Sequence, residues 1–320
     1  MKKAFILAGI ALILVGAVLF AGVSIAIGFD YNKLDTQKLE TNTHTVSERF
    51  KNIDIGTSIA DIRIKPSEDG SVRVVCVESE KLRHTVSVEN ETLKIALNDT
   101  RGIGDHIGLF YNYRSESITL YMPEEEYDTL YIKNSTGDTE IPSGYSFESI
   151  TASLSTGSFV CEANVSGLIK IKTTTGSISL NCISAGAVEA ASSTGVTSIR
   201  SSEIGGSLIL SSSTGRVELE DVSLRSLISE SSTGTIRLKN VVADENILIT
   251  RSTGDVHFEN CDAASLSIKT STGDVNGTLK SGKRFTAKTS TGDVNVPQSS
   301  SGGDCDITTT TGDIKILIVE

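Results

Sequence analysis

Tryptophan is absent from the 320 residues, histidine occurs four times, proline four times and cysteine five times. The missing indole removes the best side chain for stacking on sugars or bases. Five scattered cysteines cannot build a disulfide scaffold, and no C-x-x-C or His/Cys pairing has zinc spacing. Basic residues are also outnumbered, 29 against 40 acids, for a net charge of −11. Neutralising phosphates needs a basic face, so nucleic acid is excluded as a partner. The four histidines (His44, His84, His106, His257) are dispersed and no serine-nucleophile elbow is present, so the expectation is no enzyme.

One long apolar run stands at the N-terminus. Lys2 and Lys3 precede an uncharged stretch from Ala4 to Phe29 that Asp30 ends. A bilayer core needs about 20 helical residues, whereas the apolar part of a signal peptide is usually about 7–15. The length favours a retained transmembrane anchor over residues 1–29; small residues around Ser24 and Ala26 leave cleavage as the alternative. Lys2, Lys3 and the terminal amine set the N-terminus inside, with the large C-terminal part outside the cytoplasmic membrane. The odd number of thiols pulls the other way, because exported proteins tend to pair or avoid them.

Glycine, by contrast, is abundant and regular. Ser/Thr-Thr-Gly recurs ten times, with glycines at Gly137, Gly157, Gly176, Gly195, Gly215, Gly234, Gly254, Gly273, Gly292 and Gly312, always 19 or 20 residues apart. Seven residues before each glycine the side chain is apolar in all ten repeats, from Leu130 to Cys305. Five before it, only Ser229 departs; two after it, only Thr139 and Thr197; four after it, only Gly277. This is period-2 alternation in two short strands per repeat. Such strands bury an inner face only by stacking, which predicts an all-β parallel solenoid of about ten coils over residues 130–320. The glycine suits the bend, and stacked Thr hydroxyls are expected to bond each other or the adjacent backbone; a hydroxyl row that binds ice or glycan is the functional alternative.

Residues 30–49 are expected to be a juxtamembrane linker and 50–129 a cap. Ile53, Ile55, Ile62 and Ile64 repeat the inward spacing with Ala60 in the glycine's place, a degenerate first coil. Strand-like runs follow at Val72–Val74, Val86–Val88, Leu93–Ile95 and Ile118–Leu120. The chain stops at Ile316–Glu320 without a cap, so the C-terminal coil is expected to expose a strand edge suited to self-association.

The anchor, the F-x-x-I-x-I start (Phe50 to Ile55) and the S-T-G-D-V motifs at Ser271–Val275 and Ser290–Val294 resemble the bacterial "putative adhesin" family of membrane-anchored β-solenoids of unknown function. The resemblance covers roughly residues 45–320. It implies a surface role, adhesion or binding of an envelope glycan or protein, and assigns no active residues. A regulatory partner in a cell-envelope stress pathway is the alternative it leaves.

Two candidate sites remain. Asp255, Asp274, Asp293 and Asp313 follow the glycine in the last four repeats and stack as a carboxylate column, which either takes Ca²⁺ or hydrogen-bonds its own turns. Phe110, Tyr111 and Tyr113 concentrate aromatics in one segment and either dock a partner or cover the solenoid's open end. Cys161 and Cys305 fall at core positions, and no obligatory disulfide is expected.

Overall fold

The computed structural model describes residues 2–29, 38–102, 116–299 and 301–319. One apolar helix, α1 (Lys2–Ala26), precedes an all-β body. Most of its described side chains are exposed: Phe5 is 78% exposed, and Leu12 and Ile13 are each 73% exposed. This helix is long and apolar enough to cross a membrane, as an anchor or a signal sequence.

The first strands are β1 (Leu39–Val46), β2 (Asn52–Thr57), β3 (Ala60–Pro66), β4 (Val72–Ser79), β5 (Leu82–Glu89), β6 (Thr92–Asp99), β7 (Glu116–Met122), β8 (Glu126–Thr136) and β9 (Thr139–Ile141). All four strand-like runs of the cap are therefore strands. Residues 39–46 are not a linker: β1 adds antiparallel to β4, with Asn42 opposite Cys76. The degenerate first coil is real, and β2–β3 lie between two others. Ile53 pairs with Leu93 on one side and Leu130 on the other. Ile62 likewise pairs with Ile118 and Thr139. The outer coil, β6 and β7, is covered by antiparallel β5 and β4, which removes the parallel edge a solenoid would otherwise present.

From β8 onward the coils stack in parallel, in register. The inner coils have three paired segments rather than two, while the Gly292 and Gly312 coils pair through two. Between the Gly234 and Gly215 coils, for example, Val217–Glu220 pairs with Ile236–Lys239, Val222–Leu224 with Val241–Ala243, and Ser226–Ser231 with Asn246–Arg251. The third segment points Val222, Leu224, Val241 and Ala243 inward. The corner before it is made by Cys182, Ser201, Asp221, Asn240 and Asn260, each at positive φ. Polar side chains that bond locally tolerate this conformation, and here Asn240 Nδ2 donates to Asp221 Oδ1 (2.7 Å) and Asn260 Nδ2 to Asn240 Oδ1 (2.8 Å).

The last two coils are out of sequence order. Cys305 pairs with Leu266 on one side and Phe285 on the other, and Ile314 with Val275 and Val294. The spatial order is Gly254, Gly273, Gly312, Gly292: the chain skips one position, builds the end coil, then returns to fill the gap. Buried Lys283 sits at the skip, 2.7 Å from Asp262 Oδ1. The expected C-terminal edge is thereby corrected. The C-terminal coil is paired on both sides, and the open end belongs to Lys283–Lys288 and Val294–Asn295. Lysine and arginine on that edge (Lys283, Arg284, Lys288) discourage further strand addition.

The glycine corner sets the spacing. Gly234 has a φ of +130°, and a Cβ there would also overlap the carbonyl of Gly215. At Gly215, which lacks positive φ, a Cβ would still overlap the Gly195 carbonyl. Close backbone approach is thus the requirement, and bending is secondary. Replacing Gly234 by Ala is expected to cost about 2–4 kcal/mol of unfolding free energy in urea titrations. Gly205→Ala, whose Cβ would meet only Ala185 O at 3.9 Å, should cost under about 1 kcal/mol.

Candidate functional site

The four predicted aspartates do form a column at the glycine corner, in the order Asp255, Asp274, Asp313, Asp293. Three of the carboxylates, those of Asp255, Asp274 and Asp313, bond the next coil instead of their own turn. Asp274 N–H donates to Asp255 Oδ1 (3.0 Å), Asp313 N–H to Asp274 Oδ1 (2.8 Å) and Asp293 N–H to Asp313 Oδ1 (2.8 Å). The pattern recurs at the other end, where Asp138 N–H donates to Asp61 Oδ1 (3.0 Å) and Ser158 N–H to Asp138 Oδ1 (2.8 Å). Charge-assisted bonds to amides offset the repulsion between like charges. The column is a splint between coils, and its carboxylates do not converge on one point.

The ten predicted glycines line the same corner. Gly N–H donates to the Thr carbonyl of the neighbouring coil, as in Gly234 to Thr253 (2.9 Å) and Gly273 to Thr311 (2.9 Å). The threonine side chains before each glycine are exposed. The hydroxyl column lies two residues earlier and points inward. Thr173, Ser192, Thr270 and Thr309 donate to Gly157, Gly176, Gly254 and Gly273 carbonyls at 3.1–3.5 Å. The sequence signal was present, a run of Ser and Thr three before the glycine.

One coil breaks that column with Arg251, which is 2% exposed. Its guanidinium reaches Ser229 Oγ (3.1 Å) and Gly234 O (3.2 Å), while Nε has no partner. Ser229, the exception among the core positions five before glycine, is therefore this arginine's partner. Burial pushes the guanidinium down to about 10. Two surface features were also not anticipated. Ile209 (38% exposed), Ile228 and Leu248 (36% exposed) form an outward aliphatic row across three consecutive coils. Beneath the cap, Cys76, Glu78 and His84 come together, all buried. Burial, then the neighbouring Glu78, pushes the Cys76 thiol up to about 12.

The predicted aromatic patch, Phe110, Tyr111 and Tyr113, lies outside the described residues. The five cysteines are free, with Cys182 alone exposed.

Two stretches, residues 50–213 and 201–320, match the profile of the family described as Toastrack DUF4097. The chain belongs to the Toastrack family. Solved structures with similar folds include a "putative adhesin" from Bacteroides fragilis, 15% identical over 88% of this chain and 97% of its own (TM-score 0.39). Another is a "putative lipid binding protein" from Parabacteroides distasonis, 12% identical over 87% and 97% (TM-score 0.42). A third is a "putative cell adhesion protein" from Clostridium sporogenes, 14% identical over 88% and 100% (TM-score 0.24). Likeness at this level carries no residue role across to the Toastrack chain. No curated protein matches it.

Arg251 yields a stability prediction. Its folded-state value lies below the free one, so the cost of burying the charge is fully present at neutral pH and is relieved only as pH climbs through about 10 and above. Arg251→Thr restores the residue type of the column and is expected to raise unfolding free energy by about 1–3 kcal/mol at pH 7. Urea titrations of the two chains at pH 7 check this.

Proposed function

We propose that this protein is a non-catalytic binding module that holds a rigid solenoid outside the cytoplasmic membrane, where it engages another envelope protein. The observation that carries the reading is the aliphatic row Ile209–Ile228–Leu248. The equivalent outward positions of the flanking coils are polar: Thr151, Lys170 and Glu189 on one side, Ser267 and Asp306 on the other. Apolar side chains held facing solvent in three successive coils mark an interaction surface. Aliphatic groups without stacking aromatics favour a protein over a glycan.

The apolar helix supports the membrane tether. Its described apolar side chains are exposed, and a lipid core would cover them. Lys2 and Lys3 favour the N-terminus inside and the solenoid outside. Neither a catalytic constellation nor a substrate-sized apolar cavity enters the reading, since a regular sheet surface suffices for docking.

The test uses wall-stripped cells that display the full chain with a C-terminal tag. Protease added outside should remove the tag while a cytoplasmic control survives. Tag survival until detergent lysis contradicts the placement. Full chain in nanodiscs should then bind such cells saturably, and the Ile209→Ser/Ile228→Ser/Leu248→Ser variant should bind about tenfold or more weakly. Unchanged binding of the folded variant contradicts the role of the row.

A further inference from the structure

Beneath the cap lies a polar cluster that the docking surface does not use. It is assembled from three segments: Cys76 and Glu78 on β4, His84 on β5, and Glu116 at the start of β7. Cys76 Sγ, a Glu78 carboxylate oxygen and a His84 ring nitrogen lie within 4.8 Å of one another, and all three residues are buried. Glu78 holds the ring by Oε2 to Nδ1 (2.8 Å) and accepts the His84 backbone N–H (2.7 Å). Its other oxygen accepts from Asn42 Nδ2 (2.7 Å). The far ring nitrogen, Nε2, bonds Thr57 Oγ1 on the first coil (2.9 Å).

Glu116 is the independent observation. Val77 pairs with Ser117 across antiparallel β4 and β7, which sets Glu116 opposite Glu78 on the inner face. Glu116 is 2% exposed, with Ser79 beside its carboxyl, and burial raises that carboxyl above the usual carboxylate range. Two buried carboxylates placed side by side are costly unless a proton or a cation neutralises one of them.

We propose that Cys76, Glu78 and His84 form a site for a divalent transition metal, with Glu116 as a neighbouring buried carboxylate, and that Zn²⁺ fits this sulfur, nitrogen and oxygen donor set best. The thiol releases its proton to solvent on binding and ligates as thiolate. The ring donates its Nε2 proton to Thr57, which fixes its orientation and leaves Nδ1 to the metal. The ligands come from β4 and β5, and the His84 ring also reaches Thr57 of the first coil, so the metal would staple the β4–β5 hairpin over the end of the solenoid. This site is independent of the aliphatic row.

Cobalt is the probe, because a Co²⁺–thiolate bond gives a ligand-to-metal charge-transfer band that carboxylates cannot produce. Full-length protein in detergent, stripped with chelator, is titrated with Co²⁺. The proposal expects one equivalent with a thiolate band, displaced by Zn²⁺, and a Zn²⁺-dependent rise in Tm. Cys182→Ser should keep the band; Cys76→Ser should abolish it, and Glu116→Gln should weaken binding at least tenfold. Circular dichroism confirms that each variant is folded. The unmodified chain decides the matter without any variant: absence of a thiolate band at saturating Co²⁺ overturns the proposal. A band that persists in Cys76→Ser, or vanishes in Cys182→Ser, does so too.

Discussion

Backbone contact at a single corner governs this molecule. Each glycine carbonyl occupies the space where a Cβ on the neighbouring coil's glycine would stand. That contact brings the Gly N–H onto the next Thr carbonyl, the inward hydroxyl onto the Gly carbonyl, and, where Asp follows, a carboxylate onto the next amide. Three hydrogen-bond columns thus converge on one geometric requirement. The apolar interior then fills register by register, with Ile, Leu and Val fully buried on the inner faces. Each such side chain contributes about 1.5–3 kcal/mol.

Stacking identical units leaves two problems, the ends and the polar exceptions. Both ends are built by chain that leaves and returns, and only the N-terminal one is covered by antiparallel strands. At the N-terminal end the first coil lies inside the β6–β7 coil, under antiparallel strands. At the C-terminal end the last-made coil slides between its predecessors. Neither end therefore depends on sequential growth alone. The polar exceptions are handled in pairs: Arg251 with Ser229, Lys283 with Asp262. The cap cluster is the larger exception, where Cys76, Glu78 and His84 meet and Glu116 lies opposite Glu78.

Much of this was legible in the sequence. Spacing and alternation identified the solenoid, its inward positions, the degenerate coil around Ala60 and the cap's strands. The third segment was not seen because its inward positions carry small or polar residues in several coils, such as Ala185, Ser202, Ala243 and Ala263, which dilute the alternation. The coil order was hidden for a different reason. Ser-Thr-Gly-Asp-Val repeats are interchangeable in pairing chemistry, so sequence cannot rank Gly292 and Gly312 as neighbours of Gly273. The aspartates were found, but their role needed the coil-to-coil amide geometry. Thr57, Cys76, Glu78, His84 and Glu116 are spread over 60 residues and meet only through antiparallel pairing that breaks the repeat.

Coil order is the most direct test of the corner account, since it decides which amide each carboxylate receives. In a Cys182→Ser background, disulfide formation would be compared between an Asp274→Cys/Asp313→Cys pair and an Asp274→Cys/Asp293→Cys pair. Neighbouring coils lie about 4.8 Å apart, within disulfide reach, and second neighbours lie about 10 Å apart, beyond it. The account predicts rapid, complete cross-linking of the first pair and none of the second. Cross-linking of the second pair alone would mean that the coils follow sequence order, and the intercalated end would be wrong.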